Sequence, residues 1–111
     1  MEPLRYLSVQ GDLIVDQAAF FEKYRSVKPF LINEKPVAEK ERLQSHEERM
    51  QFDDTTNSML CVSCYSACPV VSDNDRFLGP AAVAQACRFC ADSRDRCFDK
   101  RLPVLDDRDG V

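Results

Sequence analysis

The sequence predicts a small all-α domain, and three observations carry that expectation. Phe20, Phe21, Tyr24 and Val27 recur at helical spacing, as do Val83, Cys87 and Cys90. Two helix starts are written in local chemistry: Ser45-His46-Glu47-Glu48 is a capping box, and Pro80 suits the first position of a helix. A length of 111 residues bounds the chain to one small domain with one modest core.

Composition narrows the function classes. The net charge of -4 argues against nucleic acid as a partner, because phosphate binding needs a basic footprint. No apolar run approaches the roughly 20 residues of a membrane-spanning helix. The N-terminus lacks the basic start and apolar core of a secretory signal. Six cysteines without such a signal read as reduced thiols or metal ligands more readily than as disulfides.

Taken in order, residues 1–15 read as extended and irregular, punctuated by Pro3 and Gly11. Asp16 is the expected N-cap of a helix running to about Val27, whose aromatic stripe is core packing. Lys28-Pro29 stops it, since a residue before proline is pushed out of the α region. Phe30, Leu31 and Ile32 are expected as a short buried segment that closes the first unit, 16–32. Residues 33–44 form a polar, proline-interrupted surface linker in which Lys35, Lys40 and Arg42 are solvated. The remainder, 45–111, opens with a short helix over about 46–52. His46, the single histidine, is expected to be exposed in its first turn rather than bound to metal.

The stretch Ser58-Met59-Leu60-Cys61-Val62-Ser63-Cys64-Tyr65-Ser66-Ala67-Cys68-Pro69 carries the chemistry. It keeps the spacing of the bacterial-type iron–sulfur run C-x2-C-x2-C-x3-C-P, with Ser58 in the first position. Two-residue gaps let successive soft thiolates wrap one corner of a cuboidal cluster, and the proline turns the chain away. Residues 70–79 should then be a loop, 80–92 a helix, about 94–102 a second helix, and the closing LPVLDDRDGV a turn. Cys87 and Cys90 make a second C-x2-C, which is half of a zinc site. Two sulfurs on one rigid helix turn poorly toward one metal, so Cys87, Cys90 and Cys97 are expected as small core hydrophobes.

Further blocks carry a resemblance. Residues Glu2-Pro3-Leu4 and Asp12-Leu13-Ile14-Val15-Asp16 come first, then Phe20-Phe21-Glu22-Lys23-Tyr24-Arg25-Ser26-Val27-Lys28-Pro29 and the cysteine run. Arg76-Phe77-Leu78-Gly79-Pro80-Ala81-Ala82 and Asp92-Ser93-Arg94-Asp95 follow. In that order they resemble the C-terminal domain of the iron–sulfur subunit of succinate dehydrogenase and fumarate reductase. The resemblance implies the alpha-helical ferredoxin fold. It implies that Cys61 and Cys64 match ligands of a 4Fe–4S cluster and Cys68 a ligand of a 3Fe–4S cluster. It also implies electron transfer between a flavoprotein subunit and quinone at a membrane-anchor subunit, with no bond-making chemistry on the dicarboxylate in this chain. Such a subunit sits peripherally on the cytoplasmic or mitochondrial-matrix face of the membrane, held by its partners.

The departures are equally definite. Ser58 replaces the first cluster cysteine, and an alkoxide is a harder, more basic ligand than a thiolate. Ligation by serine, replacement by solvent and a three-iron cluster all remain open there. The loop 70–75 lacks the tryptophan found near the quinone in many relatives. No 2Fe–2S domain corresponds to any part of the chain, and the sequence is expected to be truncated before the family's second cysteine-rich segment. Two thiolates for one cluster and one for the other leave both incompletely ligated. The alternatives are a zinc-binding structural module using Cys61, Cys64, Cys68 and one of Cys87, Cys90 or Cys97, and a cluster-free interaction module. Missing helix partners would leave apolar surface exposed.

Overall fold

A computed structural model describes residues 1–37, 39–108 and 110. Its opening segment departs from the all-α expectation. Strands β1 (Val9–Gly11) and β2 (Ile14–Val15) pair antiparallel, with Val9 opposite Val15 and Gly11 opposite Ile14. The turn between them places Asp12 in the left-handed region at φ 48°, a conformation that aspartate tolerates better than most side chains. The hairpin buries little, for Val9, Leu13 and Ile14 are all exposed.

Helix α1 (Ala18–Ser26) begins two residues after Asp16. Asp16 accepts the Ala18 N–H at 2.9 Å but is not the cap itself; Gln17 occupies that position without a side-chain bond. The helix ends where expected. Lys28, however, goes to the left-handed region at φ 51° rather than to extended backbone. Phe30 and Leu31 are exposed, so the segment expected to be buried is not. The reason lies in its backbone: the Phe30 carbonyl is held at 2.8 Å by the Arg101 guanidinium, which leaves the side chains outward. In the linker 33–44, Arg42 is not merely solvated, since it donates to the carbonyls of Asn33 (3.3 Å) and Lys35 (2.7 Å). Ala38 of that linker lies outside the described residues.

Helix α2 (His46–Met50) starts on the capping box as the sequence specifies. Ser45 Oγ accepts from Glu48 N–H at 3.2 Å, and the Glu48 carboxylate accepts from Ser45 N–H at 2.9 Å. Ser45→Ala should therefore destabilise the chain by about 1 kcal/mol, read as a lower urea midpoint at unchanged slope. A 3-10 helix (Asp53–Asn57) follows and leads into the cysteine run. Beyond it, α3 (Ser63–Ser66) and α4 (Pro69–Asp73) are short helices; α4 occupies part of the stretch expected to be a loop. Pro69 does not turn the chain away but opens α4 at its first position.

Helix α5 (Pro80–Ala91) is the axis of the molecule. One face presents Ala81 to a cluster of Phe20, Val62, Tyr65 and Val71. Another presents Ala82 and Ala86 to Val27 and, behind it, Leu78, Val104 and Leu105. Alanines bring neighbouring backbones close without leaving voids. The second late helix is displaced from its expected place: residues 92–97 form a turn, and α6 (Phe98–Leu105) starts afterwards, with Pro103 inside it. Asp92 and Asp95 build that turn by accepting backbone N–H groups two residues ahead, from Arg94 (2.9 Å) and Cys97 (2.8 Å). Asp109 and Val111, in the expected closing turn, lie outside the described residues.

Arg101 locks the two ends of this architecture together. Fully buried, it donates to the carbonyls of Val27 (3.1 Å), Lys28 (3.0 Å) and Phe30 (2.8 Å), and pairs with both oxygens of buried Asp95. The fold is mostly helical with one small hairpin, and none of its helices is long and apolar enough to cross a membrane among the described residues.

Candidate metal centre

The cysteine run is held from both sides. Its approach, Ser58 to Val62, has no glycine, yet Leu60 (φ 57°) and Val62 (φ 68°) are left-handed on either side of Cys61. Such geometry costs a branched residue about 1–3 kcal/mol. Burial of Val62, only 1% exposed beside Phe20 and Tyr65, offsets it. Strained backbone persists where its surroundings over-determine it, and here it sets the aim of one thiol.

Tyr65 is the anchor beneath the run. It is buried, meets Phe20 edge-on at 5.5 Å between ring centroids, and accepts a 2.9 Å hydrogen bond from Lys23 Nζ on α1. The same ammonium sits 5.2 Å from the centroid of the Tyr65 ring and donates to the Asp75 carbonyl. On the opposite side, the backbone N–H of Arg5 donates to Ser66 Oγ at 2.8 Å, tying the N-terminal segment to α3. Cys64 thus sits on a helix pinned by α1, by the opening segment and by α5.

The sequence-derived ligands differ in setting. Cys61 and Cys64 are exposed, while Cys68 is half-buried at the N-cap of α4 and packs against the first core cluster. Ser58 is exposed at the end of the 3-10 helix, its hydroxyl 3.5 Å from the Leu60 N–H. The Ser63 hydroxyl, 3.4 Å from Cys61 Sγ, holds the Cys61 thiol below its usual pKa, assisted by the Ser63 backbone N–H. Cys90 moves the other way: burial pushes its thiol up, although the Arg101 charge opposes the shift. Reasoning from spacing did not single out Ser63, Tyr65 or Lys23. The one signal available was that Ser63 and Tyr65 lie between the cysteines.

The remaining cysteines do not behave as one core group. Cys97 is buried as expected, but at the N-cap of α6 rather than along α5. Cys90 is half-buried and Cys87 is exposed, because α5 turns that flank to solvent. His46 is exposed, as expected. Among the described residues, no three His, Cys, Asp or Glu side chains converge on a position for a metal ion. The donor chemistry of the run fits an iron–sulfur centre in kind, being soft sulfur, with the exposed Cys61 thiol just before α3 and the exposed Cys64 thiol on it. In number, the fit is partial.

Comparison with known proteins places this geometry in context. No family model matches the chain. It is 43% identical over 108 residues to a succinate dehydrogenase iron-sulfur subunit of Coxiella burnetii, covering 96% of this chain and 46% of that protein. It is 42% identical over 106 residues to the corresponding subunit of Paracoccus denitrificans, covering 95% of this chain and 41% of the relative. A fumarate reductase iron-sulfur subunit of Mycobacterium tuberculosis is 42% identical over 113 residues, covering 100% of this chain and 46% of the relative. The chain spans a little under half the length of the curated relatives it matches. Over nearly its whole length, the chain is therefore homologous to part of the iron–sulfur subunits of succinate dehydrogenase and fumarate reductase.

Proposed function

We propose that this chain is the part of such a subunit that supplies cysteine ligands to iron–sulfur clusters in an electron-transfer path. The observation that carries the proposal is the pinned run itself. It presents Cys61 and Cys64 to solvent from α3 and the residues that lead into it, in a chain 42–43% identical to proteins named as iron-sulfur subunits. Cys61 and Cys64 hold a 4Fe–4S cluster and Cys68 holds a 3Fe–4S cluster, with Ser58 at the position of a further ligand. When bound, clusters of this kind take up and release single electrons. The chain's own residues orient the sulfurs, through left-handed Leu60 and Val62 and the Tyr65 anchor, and exclude water behind Cys68. The fold is of the alpha-helical ferredoxin type, with residues 1–111 forming part of one C-terminal domain. The partners are a flavoprotein subunit acting on succinate or fumarate and a membrane-anchor subunit with its quinone. The complex places the chain peripherally at the cytoplasmic or matrix face of the membrane.

Iron, acid-labile sulfide and zinc per chain, measured after anaerobic purification, test this reading. The expected result is iron and sulfide in near-equal amounts, with both reduced at least several-fold in a Cys61→Ser/Cys64→Ser double variant. A second reading, a cluster-free helical module, is favoured by one observation: no three donors converge among the described residues. Finding neither iron nor zinc would decide for it, whereas zinc without sulfide would overturn both readings in favour of a zinc-binding module.

A further inference from the structure

The contact between Cys61 and Ser63 does more than describe an isolated thiol, and its consequence rests on the cluster-ligand reading above. Cys61 Sγ and Ser63 Oγ lie 3.4 Å apart, within hydrogen-bonding range for sulfur. Both side chains are exposed, and three features hold the backbone that carries them. Ser63 is the first residue of α3, and its carbonyl accepts the Ala67 N–H at 3.0 Å. Val62, between the two residues, is locked in the left-handed region with its side chain 1% exposed. Tyr65, two residues on, is pinned by Lys23 and Phe20. Rotation of Ser63 away from Cys61 would require χ1 movement alone, whereas moving the backbone would unseat Val62 and Tyr65.

A serine hydroxyl has one donor and two acceptor lone pairs. Beside a free thiol it accepts the S–H; beside a metal-bound sulfur, which carries no hydrogen, the same oxygen must turn and donate. A hydrogen bond donated to a ligating sulfur withdraws negative charge, and the reduced state of a cluster carries one more electron than the oxidised state. The bond therefore strengthens on reduction and raises the potential. We infer that Ser63 is a positioning residue of the cluster that Cys61 ligates, holding the Cys61 sulfur by a hydroxyl hydrogen bond and setting that centre's reduction potential above the value it would have without the bond.

The experiment compares the wild-type full chain with Ser63→Ala and Ser63→Thr, each loaded with iron and sulfide under anaerobic conditions. Redox titration followed by electron paramagnetic resonance gives the midpoint potentials. Resonance Raman in light and heavy water reads the iron–sulfur(cysteine) stretches. Ser63→Ala is expected to lower the reduced-to-oxidised ratio at the wild-type midpoint about tenfold, which is about 59 mV for a one-electron couple. Ser63→Thr, which keeps the hydroxyl, is expected to restore most of it. The wild type is expected to show a deuterium shift of one stretch that the alanine variant lacks. An unchanged potential in loaded Ser63→Ala, or a threonine variant as low as alanine, overturns the inference while leaving the cluster reading intact. Should the alanine variant fail to load, absence of a deuterium shift in the wild type overturns it. Wild-type chain that takes up neither iron nor sulfide overturns the cluster reading and this inference with it.

Discussion

Arg101→Met is expected to destabilise the domain by about 3–5 kcal/mol, the range for breaking a buried ion pair from one side. The substitution leaves the Asp95 carboxylate, whose side chain is 1% exposed, without its bidentate partner. It also strips donors from the carbonyls of Val27, Lys28 and Phe30. Urea unfolding measures the loss, and a value within 1 kcal/mol of wild type would show the network to be dispensable. Asp95→Asn with Arg101→Met should destabilise less than the sum of the two single variants, because no bare carboxylate is then buried. The pH dependence has a definite sign. Burial pushes Asp95 upward, but the Arg101 guanidinium and the N–H groups of Ile32 and Cys97 outweigh it and hold the carboxyl below the usual 3.8. The resulting stabilisation is present in full above that value and is lost as pH falls through the lower folded-state value. Asp92, held down against its burial by Arg94, adds to the same acid limb. Arg101→Met should flatten the acid limb as well as lower its plateau.

Gly79→Ala is the second large effect. Gly79 caps α5 at φ 92°, where L side chains are strained. A Cβ there would lie 2.7 Å from Tyr65 Cδ2 and 3.0 Å from Cε2. Strain and overpacking together should destabilise the chain by about 2–4 kcal/mol. For a domain of this size that lowers Tm by more than about 8 °C, measured by circular dichroism. Tyr65 has little room to yield, since Phe20 and Lys23 hold it from the far side. Tyr65 follows Cys64 directly in the chain and belongs to the cluster against which Cys68 packs, so the same variant should also retain less iron. A Gly79→Ala chain as stable as wild type would mean that the ring moves freely.

What could be read from the sequence was what is decided within one or two turns of chain. Ser45 and Glu48 are three residues apart, and their reciprocal bonds formed as their types dictate. Pro80 opened a helix, and Val27 closed one before Lys28-Pro29. Turn chemistry was local too but was missed: Asp92 and Asp95 each bond a backbone N–H two residues ahead, which delayed α6 to Phe98. Phe30 and Leu31 look like core by composition. Both are exposed, beside a Phe30 carbonyl held by a guanidinium 71 positions away that no local pattern reveals. At the candidate centre, spacing named Cys61, Cys64 and Cys68, because ligand motifs are local. It could not name Tyr65 as their anchor, since that role depends on Lys23, Phe20 and Gly79 from two other elements.

The arginine lock also has a kinetic side. Its bonds to Val27 and Phe30 join residues 74 and 71 positions apart, so the whole cysteine run lies inside the loop they close. Contacts of such long separation form only after much chain entropy has been surrendered. Arg101 should therefore dock after α5 has gathered α1 and α3, contributing little to the folding transition state. Interactions absent from that state act on the unfolding rate. The lock is a latch: it slows the opening of a domain that has already assembled, and keeps the sulfur-bearing loop shut for longer than its own short helices would.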